Sequence, residues 1–137
     1  MQDRLKFRVW DKENKCMYYP TRYSNFTIVN GTVVKIESYP IANSAYLGKR
    51  IALEFDAAVI IQCTGFKDKN GKLIYEGDIC KYKFEEIGEQ KAIIYFNKEL
   101  CSFLAKPLND FQYTRINNCE VIGNIYENKE LLNESSN

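Results

Sequence analysis

The sequence predicts a mainly β protein that forms a single domain, with a small barrel in its C-terminal half and β-hairpins before it. Its apolar residues come in short runs of strand length, separated by turn-forming residues. Aromatic residues make up 14% of the chain, which is typical of strands that pack against a shared core. The Asn-Gly pairs at positions 30–31 and 70–71 suit tight hairpin turns, because both residues tolerate positive φ angles. A barrel is the simplest way for such short strands to hide their edges.

The first 61 residues are predicted to form β-hairpins. Alternating apolar residues at positions 5–9 begin the first hairpin, the DKENK segment supplies its turn, and residues 16–19 return. β-Branched residues on both sides of the Asn-Gly pair at 30–31 form the second hairpin. Residues 37–50 are mixed and rich in turn residues, so no regular element is predicted there.

Residues 62–132 are predicted to form the barrel region. The Asn-Gly pair at 70–71 makes a tight turn, and the strand material after it is interrupted at Gly77. A further hairpin turns at the NKEL segment, and CEVIGNIY forms a strand. A frayed helix over ENKELLN ends the region, and residues 133–137 are predicted to be a disordered tail.

Composition narrows the classes of function. The 19 basic and 18 acidic residues give a net charge of +1, so no strong field indicates a nucleic-acid or membrane surface. Histidine is absent, which disfavours hydrolase and metal chemistry that needs imidazole. Five cysteines without a C-x-x-C pair predict reduced, mostly buried thiols. With no signal-like start and no apolar run of membrane length, we expect a cytoplasmic protein without membrane contact.

Acidic side chains concentrate around the second Asn-Gly turn. Asp68, Glu76 and Asp78, with Asp11 from the first hairpin, are the candidates for acid–base chemistry or for a hard cation such as Mg²⁺. A structural role is favoured, because a turn aspartate accepts N–H groups of its own backbone. We therefore predict no catalytic, cofactor-binding or metal-ligating residue. A carboxylate-based metal-dependent enzyme stays an alternative hypothesis.

Aromatic side chains offer a second candidate function. Interleaved with lysines, they can stack bases on a β-surface, as single-strand binders do. Core packing is favoured, because a nearly neutral chain lacks the clustered positive face that phosphate binding needs. The aromatic residues concerned are Tyr18, Tyr19, Tyr23, Phe26, Tyr82, Phe84, Tyr95, Phe96, Phe111 and Tyr113.

Three blocks of the sequence resemble the signature of the YopX family, small proteins encoded by phages and prophages of Gram-positive bacteria. The blocks are KFRVWDKENKCMYY, QCTGFKDKNGKLIYEGDICKY and CEVIGNIYENKELL, and they span residues 6–132. The resemblance implies a β-rich fold with an SH3-like small barrel, without an assigned function and without catalytic residues to carry over. The positions that fall on the motif are Trp10, Asp11, Gln62, Thr64, Gly65, Asp68, Gly71, Tyr75, Glu76, Gly77 and Asp78.

These observations favour a non-enzymatic accessory protein that binds a host or phage macromolecule. They leave open whether the macromolecule is a protein or a nucleic acid. A self-associating structural module, with a dimer favoured, is a further alternative, because small β domains must cover exposed strand edges.

Gly77 carries a specific backbone prediction. It stands between two strand-like runs where a β-branched residue would be expected, so we predict positive φ or a close backbone contact there. We also predict that the Asp78 carboxylate accepts a backbone N–H bond from the neighbouring turn. Replacing Gly77 with valine should then destabilise the fold by about 1 to 3 kcal/mol, and Asp78→Asn should cost less.

Overall fold

The computed structural model describes residues 6–20, 24–29, 32–41, 45–53, 58–86, 88–109 and 114–133, with strand positions but no side chains between residues 21 and 57. The chain divides into two compact units: an N-terminal unit, Phe7–Ile60, and a C-terminal unit that joins Met1–Lys6 to Ile61–Asn137. The strands are β1 (Phe7–Asp11), β2 (Cys16–Tyr18), β3 (Ser24–Val29), β4 (Thr32–Ile41), β5 (Ala45–Leu53), β6 (Ala58–Lys67), β7 (Leu73–Tyr75), β8 (Asp78–Phe84), β9 (Gly88–Asn97), β10 (Ser102–Pro107) and β11 (Cys119–Asn124).

The predicted first hairpin is confirmed in the N-terminal unit. β1 and β2 pair antiparallel, with Val9 opposite Tyr18. Lys15 adopts a φ of 55° in the connecting turn, a left-handed conformation that is strained for a residue with a side chain. Val9 is fully buried, and Phe7, Tyr18 and Ala58 pack around it.

The second predicted hairpin is also confirmed. β3 and β4 pair antiparallel with Val29 opposite Thr32. The predicted turn residues, Asn30 and Gly31, lie outside the described part of the chain. β5 continues the sheet on the other side of β4, and Val33 lies opposite Leu53.

The prediction of no regular element over residues 37–50 is wrong. β4 runs to Ile41 and β5 begins at Ala45, so both strands enter this stretch. Pro40 lies within β4, opposite Tyr46. The described pairing of β4 with β3 ends at Glu37, so among the described residues Pro40 has a partner strand on the β5 side alone. Proline is tolerated there because no described hydrogen bond to a second neighbouring strand requires the N–H that proline lacks.

The C-terminal unit contains an antiparallel sheet in the order β10-β9-β8-β11 and the antiparallel pair β6-β7. The predicted hairpin at the NKEL segment is confirmed, with Asn97 opposite Ser102. The predicted terminal helix is a single 3-10 turn, Lys129–Leu132. Of the predicted tail, residues 134–137 lie outside the described chain. Buried residues of one core cluster hold this unit together: Ile74, Cys80, Tyr82, Ala92, Ile94, Ala105, Ile116 and Cys119.

The described residues confirm the mainly β prediction. The strand pairs β1-β2, β3-β4, β4-β5, β6-β7, β8-β9, β8-β11 and β9-β10 are antiparallel, and the 3-10 turn is the helical element among the described residues. No helix in these ranges is long and apolar enough to cross a membrane.

Candidate functional site

Asp68 organises the turn between β6 and β7. Its Oδ1 accepts the N–H groups of Asn70 and Lys72, at 2.8 and 2.9 Å. Gly71 takes a φ of +82° in the same turn. The prediction that Asp68 accepts N–H groups of its own turn is therefore confirmed.

The same turn is tied to the last strand of the sheet, which the sequence did not predict. The Asp68 Oδ2 accepts the N–H of Val121 in β11 at 3.0 Å. Beside it, the Lys69 N–H donates to the Cys119 carbonyl at 2.9 Å. Both carboxylate oxygens of Asp68 are thus occupied by backbone donors.

These bonds determine the charge state of Asp68. Burial raises the pKa of the carboxyl, but the N–H groups of Val121, Lys72 and Asn70 outweigh burial and bring the pKa below its ordinary value of 3.8. The residue is therefore an ionised acceptor at neutral pH. A general acid needs a raised pKa, so Asp68 is unsuited to that role.

The turn from Tyr75 to Asp78 confirms the prediction at Gly77. Gly77 has a φ of +83°, and the Asp78 Oδ2 accepts the Tyr75 N–H at 2.8 Å. The Gly77 N–H donates to the Ile94 carbonyl at 2.8 Å, and its own carbonyl accepts the Ile125 N–H at 2.9 Å. One peptide segment thereby joins β9 to the chain that follows β11.

Other motif residues have structural contacts along β6 and β7. The Thr64 hydroxyl donates to the Ile74 carbonyl at 2.7 Å and accepts the Phe66 N–H at 3.1 Å. The Glu76 N–H donates to the Gln62 carbonyl at 3.0 Å. Gly65 has a φ of +84°, and Tyr75 is buried.

Asp11 plays a comparable part in the N-terminal unit, where Trp10 beside it is buried. The Asp11 Oδ1 accepts the N–H groups of Glu13 and Asn14 at 3.0 and 3.1 Å, and Oδ2 accepts the Asn14 side-chain amide at 2.7 Å. Burial raises the pKa of Asp11, but these bonds outweigh it and lower the pKa from 3.8.

The carboxylates are not gathered into a metal site in the part of the chain that the structure describes. Those residues contain no group of three His, Cys, Asp or Glu side chains that could hold an ion. A metal-dependent enzyme built on Asp68, Glu76 and Asp78 requires them to converge on one open cavity. The structure instead engages Asp68 and Asp78 with turn N–H groups.

The five cysteines are free thiols. Cys63, Cys80 and Cys119 are buried, as predicted, whereas Cys101 is exposed. The neighbouring Cys119 thiol and burial both raise the pKa of Cys80. Cys80 is therefore a protonated, apolar component of the core.

The aromatic residues proposed for base stacking are divided between core and surface. Tyr82 is buried, and Phe84 stacks on it with ring centroids 6.0 Å apart. Phe96 and Tyr19 are exposed. Tyr23, Phe111, Tyr113 and the Phe26 side chain lie outside the described residues.

A groove of about 720 Å³ lies in the C-terminal unit beside β10. This groove, called the β10 groove below, has a volume in the range of ligand-binding clefts. Phe66 and Leu100 are 52% and 53% exposed, so the groove offers apolar surface to solvent. Its lining residues are Phe66, Leu100, Ser102, Phe103, Leu104, Thr114, Arg115, Ile116 and Asn117.

Part of the β10 backbone at this groove has no pairing partner among the residues that the structure describes. Ala105 and Thr114 exchange two N–H to carbonyl bonds, at 2.9 and 2.8 Å, on the side of β10 away from β9. Backbone groups alternate sides along a strand, so the N–H and carbonyl of Phe103 point to that same side. No described residue pairs with them there.

Arg115 is the charged side chain of the lining. It is exposed, and no carboxylate among the described residues forms an ion pair with it. The sequence did not predict this site, because the groove depends on the 114–117 segment returning beside β10. The one local signal was the predicted hairpin that contains Leu100 and Phe103.

Comparisons with known proteins place the chain among relatives. The family described as "YopX protein" matches residues 6–133. The crystal structure of protein EF1440 from Enterococcus faecalis is similar, with a TM-score of 0.59 and 28% sequence identity, over 93% of this chain and 96% of that one. No curated protein matches the sequence.

Proposed function

Because the chain belongs to the YopX protein family, we propose that it is a phage- or prophage-encoded binding module, non-enzymatic, that takes another macromolecule into the β10 groove. The observation that carries this proposal is the groove itself, which combines exposed Phe66 and Leu100 with backbone groups of Phe103 that no described residue pairs. Exposed apolar surface of this kind is typical of interaction sites. The motif carboxylates support the non-enzymatic reading, because backbone donors engage Asp68 and Asp78.

Two finer statements belong to the same proposal. The C-terminal unit is an SH3-like small barrel, which is supported by short antiparallel strands around one buried cluster. The protein acts in the bacterial cytoplasm, which free buried thiols support.

The test is capture of partners from bacterial lysate, with and without nuclease, by the wild-type chain and by the double variant Phe66→Ser, Leu100→Ser. Both side chains are exposed, so the variant should fold normally and lose the captured partner. Ile60→Ser is the matched control, since Ile60 is 44% exposed and lies outside the groove. Equal capture by the wild type and the double variant would contradict the proposal.

A homodimer is the second candidate function, favoured by the open edge of β10. Two copies that pair these edges would satisfy the backbone groups of Phe103 in each. Light scattering over a tenfold range of concentration decides it, because a constant mass near 16.0 kDa would exclude self-association.

A further inference from the structure

We propose that the β10 groove binds an extended peptide segment of a partner protein, which adds as a strand to the edge of β10 and places an acidic side chain on Arg115. This inference rests on the proposed binding function and narrows it. It states the class of partner, the backbone groups used and the residue that selects the ligand.

The open backbone at Phe103 supplies the first step. The Ala105–Thr114 bridge fixes which groups of β10 face outward, and the Leu108 N–H bond to the Lys91 carbonyl at 2.9 Å shows that the alternation persists beyond the strand. Pro107, the next outward-facing residue, has no N–H to offer. Among the described residues, the edge is therefore closed at Pro107, while the backbone groups of Phe103 have no partner and an added strand gains two main-chain bonds there.

The apolar side chains supply the second step. Phe66 and Leu100 are about half exposed, and both line the groove with Phe103. Phe103 is held in place by Phe96, with ring centroids 5.2 Å apart in an edge-to-face arrangement. An extended peptide presents alternate side chains to the same face, so one apolar residue of the ligand covers this surface.

The charge of the groove decides between peptide and nucleic acid. A single strand of nucleic acid needs several cations along its phosphates, and Arg115 is the one cation among the described lining residues. One guanidinium without a carboxylate partner among the described residues matches one acidic side chain. The partner is therefore a protein segment with a β-forming, apolar and acidic composition.

The test uses nonapeptide pools with a fixed central aspartate and mixed residues elsewhere, and a matched pool with a central asparagine. Amide NMR of the whole chain should show the Phe103 resonance shifting with the aspartate pool, at concentrations about threefold to fivefold below those needed for the asparagine pool, as expected for one exposed ion pair. Arg115→Gln should remove that preference. Lys106→Gln is the control, because Lys106 is an exposed cation of β10 outside the lining, and it should keep the preference.

The remaining outcomes separate the two proposals. If oligothymidylate shifts the Phe103 resonance and the peptide pools do not, the groove binds nucleic acid, so the peptide inference is overturned and the binding function stands. If neither probe shifts it, the peptide inference is overturned, and the lysate capture with the Phe66→Ser, Leu100→Ser variant decides the binding function separately. Equal binding of the two pools by the wild-type chain overturns the role of Arg115.

Discussion

Two aspartate turns, one in each unit, use the same hydrogen-bond chemistry and differ in how far they reach. Among the described residues, the Asp11 carboxylate accepts from Glu13 and Asn14, within three residues of itself. The Asp68 carboxylate accepts from its own turn and also from Val121, 53 residues away. The same turn chemistry therefore stabilises only the local turn in the N-terminal unit, whereas in the C-terminal unit it also forms a tertiary contact. The loss in free energy of unfolding when each turn is disrupted should therefore depend on the contacts of that turn with distant parts of the chain.

Glycine substitutions give the largest expected effect. A Cβ at Gly77 would lie 3.0 Å from the Tyr126 ring, whereas a Cβ at Gly71 meets nothing within 4 Å. Both have positive φ, so both variants are strained. We expect Gly77→Val to cost about 3 kcal/mol and Gly71→Val about 1 to 2 kcal/mol, measured by urea unfolding. Equal costs would show that backbone strain alone matters.

The two aspartates come next. Asp68→Ala leaves the N–H of half-buried Val121 and two turn donors without the carboxylate, so we expect a loss of about 2 kcal/mol. Asp11→Ala leaves the N–H groups of exposed Glu13 and Asn14 to bond with water, and we expect a loss of about 1 kcal/mol. Trp10 fluorescence follows the N-terminal unit, and exchange of the Ile94 amide follows the C-terminal unit. A larger loss of stability for Asp11→Ala than for Asp68→Ala would contradict this expectation.

Acid should weaken both turns. The folded-state pKa values of Asp11 and Asp68 are lowered from 3.8, so the stability that they contribute is full above the unfolded value and falls as pH drops through the folded value. Unfolding at pH 7 and at pH 3 should show a smaller acid-induced loss for Asp68→Asn and Asp11→Asn than for the wild type. A wild-type-sized loss in either variant would mean that other groups carry the acid sensitivity.

The smallest effect concerns Lys15, which adopts positive φ four residues after Asp11, whereas the positive φ of the Asp68 turn falls on Gly71, three residues after Asp68. Lys15→Gly should relieve the strain and stabilise the N-terminal unit by up to about 1 kcal/mol, net of the entropy that glycine adds to the unfolded chain. Lys12→Gly in the same turn is the control and should not stabilise. Thermal unfolding followed at Trp10 measures both.

Local chemistry was predictable from the sequence. The hairpin at residues 7–18, the turn role of Asp68 and the positive φ of Gly77 follow from residue type and spacing. Each involves groups only a few residues apart. The family was also predictable, because its three blocks lie in order along the chain.

Contacts between distant residues were not predictable. Strand β4 runs through Pro40, which lies opposite Tyr46 of β5, and nothing near Pro40 in sequence indicates that. The β10 groove depends on the Ala105–Thr114 bridge. Turn residues fix local dihedral angles. They do not specify which distant strand donates an N–H group to the acceptors that the turn leaves free.

The bond between Asp68 and Val121 also has a consequence for synthesis. A nascent chain that has passed β8 but not yet β11 leaves one edge of β8 uncovered, and the Asp68 carboxylate lacks its distant donor. The Gly77 carbonyl likewise lacks its donor until the Ile125 N–H has been synthesised. The C-terminal unit therefore cannot complete its fold until β11 has been synthesised. Between the synthesis of β8 and that of β11, the unit is exposed to chaperones, proteases and neighbouring chains.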